Sequence, residues 1–87
     1  MENLEIILKL ERNPFTKQLT PIIFFRGLDY LRNGLIDCFD GIHAGASIEY
    51  YRDCKPATIK DCESLLKHFT TLYSDKNIII KKRLTFK

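Results

Sequence analysis

The sequence predicts an α+β fold, and within that class a ferredoxin-like βαββαβ two-layer sandwich: two helices on one face of a four-stranded antiparallel sheet. Three observations carry that expectation. Leu4, Ile6, Leu8 and Leu10 alternate with Glu5, Ile7 and Lys9, as in a strand covered on one face. Toward the other end Ile59, Cys62, Leu65, Leu66, Phe69, Leu72 and Tyr73 recur at helical spacing. Between them, Asp40-Gly41 offers turn chemistry between two short apolar stretches. The alternative is a three-stranded βαβαβ sheet with two helices. The two differ in whether Leu35 to Phe39 forms a strand.

The first strand ends near Arg12, because Asn13-Pro14 removes a backbone donor and disfavours the α region. Thr20-Pro21 reads as an N-cap followed by proline at the first helical position. Phe24, Leu28, Leu31 and Leu35 extend a helical stripe from there, with Arg26, Asp29 and Arg32 opposite. Asn33-Gly34 stops that helix, since an internal glycine costs about 1 kcal/mol. The competing end is Gly41, with Leu35 and Phe39 kept in the stripe. Ser47 to Arg52 alternates Ile48 and Tyr50 against Ser47, Glu49 and Tyr51, which predicts a strand closed by Pro56. Thr58 and Asp61 resemble a capping box for the second helix. Ser74 to Asn77 is a turn, and Ile78 to Phe86 is a closing strand antiparallel to the first.

A chain of 87 residues predicts a single domain, residues 1–87, burying about 60% of its unfolded surface. Apolar residues at 45% and charged residues at 29% suit a folded rather than a disordered chain. The uncharged run Gln18 to Phe25 falls far short of the roughly 20 residues that cross a bilayer, so no membrane role is expected. No basic-then-apolar leader opens the chain, and Cys38, Cys54 and Cys62 are odd in number at no familiar spacing. Free thiols and a cytoplasmic setting follow, the host cytoplasm if the gene is phage-borne.

No motif specifies a reaction. Zinc sites use close pairs of ligands, and Cys38, His43, Cys54, Cys62 and His68 are not so spaced. Cys38 and His43 meet across the Asp40-Gly41 turn at most as a thiol and base without an orienting third group. Gly41 to Gly45 lacks a phosphate-binding pattern. The expectation is no catalytic residue, no cofactor and no metal.

Charge is uneven. Residues 76–87 carry +5 without an acid, and the remaining 75 carry −2. Lysine and arginine neutralise phosphates, so one reading is a nucleic-acid-binding module using Arg52, Lys81, Lys82, Arg83 and Lys87 with Tyr51 as a stacking surface. The plain explanation is cross-strand pairing of Lys81 and Arg83 with Glu5 and Glu11, and protection of an edge strand by Lys82 and Lys87.

The leading reading is a small non-catalytic protein-binding module, with Ile7, Phe15, Tyr51 and Ile79 as apolar contact residues or a homodimer seam. Small size and absent motifs suit an inhibitor or adaptor of phage or mobile-element type, acting on a host or defence protein, while eleven isoleucines and nine lysines with no valine suggest an AT-rich coding sequence.

Overall fold

The computed structural model describes residues 2–26 and 35–83. Along the chain run β1 (Glu2–Arg12), β2 (Leu19–Phe25), β3 (Leu35–Phe39), β4 (His43–Ser47), α1 (Ile48–Asp53), β5 (Lys55–Pro56), α2 (Glu63–Leu72) and β6 (Lys76–Lys81). The class is α+β, with the six described strands in one sheet ordered β4-β3-β2-β1-β5 and β6 also paired to β1. Pairing is antiparallel except between β6 and β1, which run parallel from Glu2 beside Lys76 to Ile7 beside Lys81.

Neither sequence-derived topology is the one found. Leu19–Phe25, read as the opening of a helix, is strand β2, paired with β1 from Ile6 beside Phe25 to Arg12 beside Leu19. A strand buried on both faces reads as a continuous apolar run, and Ile22, Ile23, Phe24 and Phe25 are all buried. Pro21 is tolerated for a geometric reason. Arg26 N–H donates to Glu5 O at 2.9 Å, so Ile7/Phe24 and Lys9/Ile22 are also hydrogen-bonding pairs and Leu10/Pro21 is not. The absent N–H of Pro21 therefore points away from β1, past the end of β3, whose described pairing with β2 lies at Ile23 and Phe24. The proposed helix stop at Asn33-Gly34 lies outside the described residues.

Leu35–Phe39 is a strand as expected, and it returns as β4 through Asp40-Gly41, where Gly41 adopts φ 110. Ser47 to Arg52 is a correction. It forms helix α1, because Ser47 Oγ accepts the Tyr50 N–H at 3.1 Å as an N-cap. The Thr58/Asp61 box does form: Asp61 Oδ2 accepts the Thr58 N–H at 2.9 Å, and Thr58 Oγ1 accepts the Asp61 N–H at 3.1 Å. Helix α2 follows one turn later.

The two described helices cover opposite faces of the sheet. On one, Ile6, Leu8, Ile23, Phe25 and Phe39 pack with Cys62 and Phe69, and Leu65 and Leu66 of α2 seal them with Tyr73 at its C-cap. On the other, Ile7, Ile22, Phe24, Ile36, Cys38 and Ala46 pack with Cys54, and Ile48 and Tyr51 of α1 lie over them. Strand β5 carries the chain round the sheet edge between these layers, so a second layer stands where open sheet was expected.

Candidate functional site

The outer edge of β1 is shared by two strands. β6 pairs along it as far as Ile7, and β5 takes over at Lys9. Leu8 stands at the hand-over, and a notch of about 520 Å³ opens there. Its lining is largely apolar: Ile7 and Leu8 from β1, Pro56 from β5, Ala57 and Ile59 from the turn after it, and Ile80 from β6. Lys9, Lys81 and Lys82 complete it with Thr58, and none of the described lining residues is acidic. Ile59 is 58% exposed and Ile80 38%, so apolar surface is accessible beside these lysines. Ile59 was expected on the buried stripe of the second helix. It stays outside because α2 begins only at Glu63.

At the other end of the sheet a shallower cleft of about 400 Å³ is lined by Glu11, Cys38, Asp40, Ser47 and Tyr50, with Ala44 to Ala46 of edge strand β4. Its charge is the opposite of the notch. Burial, followed by the charges of Asp40 and Glu11, pushes the Cys38 thiol up to about 11. Burial likewise pushes Cys54 up to about 11, and Glu11 adds to this.

The expected apolar contacts are dispersed. Ile7 is only 1% exposed, a core residue that reaches the notch as floor, and its expected role as an exposed contact is withdrawn. Ile79 is half-buried beside Glu5. Tyr51 is half-buried on α1, its ring edge-on to Phe24 at 4.9 Å and under Lys9 Nζ at 4.9 Å. Phe15 is 92% exposed on the β1–β2 turn, away from the notch lining.

Of the basic set, Lys81 and Lys82 line the notch. Arg52 sits in the last turn of α1, and Arg83 O accepts Arg26 Nε–H at 2.6 Å. Lys87 lies outside the described residues. The anticipated partners of Lys81 and Arg83 are engaged elsewhere: Glu5 pairs with Arg26, and Glu11 accepts from Tyr50. The parallel course of β6 underlies this, since it sets Lys81 beside Ile7 instead of antiparallel to the acids. The structure thus unites one residue of the apolar set with two of the basic set, and adds Lys9, Ile59 and Ile80.

Cys38 and His43 do not meet as thiol and base. Cys38 is opposite Ala44 and belongs to the α1 face, whereas His43 packs on Phe39 and accepts or donates to Tyr73 Oη at 2.8 Å on the α2 face. Among the described residues no cluster of three His, Cys, Asp or Glu side chains could hold a metal, and no helix is long and apolar enough to cross a membrane. In comparisons with known proteins, the chain matches no family model, no curated protein and no solved structure.

Proposed function

We propose that this chain is a non-catalytic protein-binding module of the inhibitor or adaptor kind. The observation that carries the reading is the notch beside Leu8, where exposed Ile59 and Ile80 adjoin Lys9, Lys81 and Lys82. Apolar surface rimmed by charge is the composition of a protein interface. The cysteines support a structural role for themselves, because raised thiol pKa values oppose thiolate formation. The phage or mobile-element setting belongs to the same proposal, on small size and the lack of a catalytic motif in the sequence.

A nucleic-acid module keeps Lys81 and Lys82 but loses its stacking platform, since Tyr51 is engaged by Phe24 and Lys9. Affinity capture from the cells that encode the chain separates the readings. Wild type and a Lys67→Glu control on exposed α2 surface should recover the same protein, and Ile59→Asp should lose it. Failure of all three to recover a protein, together with tight binding of single-stranded DNA at low salt, would overturn the proposal.

A further inference from the structure

We infer that the notch takes an acidic segment of a partner protein, with one apolar side chain seated against Ile59 and Ile80 and flanking carboxylates met by Lys9, Lys81 and Lys82. The inference rests on the protein-binding reading and gives that site a ligand chemistry. Its first support is charge. Three lysines from two strands and the residue after β6 surround the floor, and no acid among the described lining residues neutralises them. The second is shape. A volume of about 520 Å³ lies within the roughly 300–1,000 Å³ of sites that enclose a ligand group. The third is the mixture itself: a nucleic-acid backbone would satisfy the lysines and leave Ile59 and Ile80 wet, whereas an acidic-apolar peptide covers both.

The arrangement also explains selectivity. Carboxylate–lysine pairs at an exposed rim add little affinity each but oppose a basic partner, so the lysines choose and the isoleucines hold. Lys9 is held in place for this role by the Tyr51 ring under its ammonium.

The experiment titrates ¹⁵N-labelled protein with three probes: a synthetic peptide whose leucine-phenylalanine core is flanked by glutamates, the same core flanked by lysines, and oligothymidylate. The glutamate peptide should shift the amides of Leu8, Ala57, Ile59 and Lys81 saturably, and the lysine peptide should leave them unmoved. Joint Lys81→Glu and Lys82→Glu substitution should weaken the glutamate peptide roughly tenfold while the folded spectrum is retained. Ile59→Ser should weaken it in high salt as well as low, because that part of the contact is unscreened. Equal binding of the lysine peptide, shifts confined to other surfaces, or tighter binding of oligothymidylate at the same amides would overturn the assignment. If cellular capture yields an Ile59-dependent partner but the glutamate peptide shifts nothing, the acidic chemistry falls and the module reading stands.

Discussion

Tyr50 Oη donates a 2.7 Å hydrogen bond to Glu11 Oε2, fastening α1 to the C-terminal end of β1. It adds a polar tie to the packing of Ile48 and Tyr51 and to the Ser47 cap. A helix of six residues is too short to be stable by itself, so tertiary ties of this kind decide whether it stays docked. Tyr50→Phe should lower unfolding free energy by about 1 kcal/mol, measured by urea denaturation. Glu11→Gln keeps an acceptor and should cost less. Equal stability of wild type and Tyr50→Phe would show the bond to be idle.

Alkaline conditions should weaken the fold. Cys38 and Cys54 are pushed from 9.0 to about 11, mainly by burial, so the folded state keeps protons that the unfolded chain releases. Their contribution is fully present below about pH 9 and is lost as pH rises through about 11. Burial and the Glu11 bond raise Tyr50 in the same direction. The urea midpoint should therefore fall across this window, and Cys54→Ala should flatten part of the fall. A midpoint independent of pH up to 11 would contradict the burial of these thiols.

Gly45 on β4 leaves room for the Leu35 side chain of β3. A Cβ there would stand 3.1 Å from Leu35 Cδ1 and 3.3 Å from Leu35 Cβ, closer than ordinary contact. Gly45→Ala should destabilise by about 1 kcal/mol, and Leu35→Ala in the same chain should recover much of that loss. A thermal melt of the two single variants and the double variant measures the coupling. Additive effects would show that the two side chains do not compete.

Phe69 is fully buried and meets Phe25 at 5.5 Å and Phe39 at 5.6 Å between ring centroids. Phe69→Ala should cost about 3–5 kcal/mol, a large share of the roughly 5–15 kcal/mol typical of a domain. Ile59→Ala should change stability by less than about 0.5 kcal/mol, because its side chain is mostly in water. Similar denaturation midpoints for the two would refute the burial pattern.

The parts legible in sequence are those where one periodicity had no rival. β1 alternates apart from Ile7, and α2 carries a long stripe after a capping pair; Leu35–Phe39 did have a rival in the continued helical stripe, and Asn33-Gly34 with the Asp40-Gly41 turn weighed against it. Thr20-Pro21 misled because its two residues are good helix starters, while Ile22 to Phe25 were apolar for a different reason: both faces of β2 are covered. Ser47 to Arg52 was too short for alternation to outweigh a serine cap. The notch was half legible. Lys81 and Lys82 stood out as charge, but Ile59 and Ile80 gain meaning only from β5 and β6 sharing one edge of β1, a pairing no local pattern encodes.

Strand β2 pairs with β1 along its whole length, whereas among the described residues its ladder with β3 holds Ile23 with Phe39 and Phe24 with Cys38 alone. That narrow junction makes the β3–β4 hairpin the first part able to peel from the remainder, with β1, β2 and β6 as the last cooperative unit to open. Amide exchange should consequently divide the sheet at this seam. The lysine notch should fall on the slow side of that division, so a ligand there would meet a surface already shaped before it arrives.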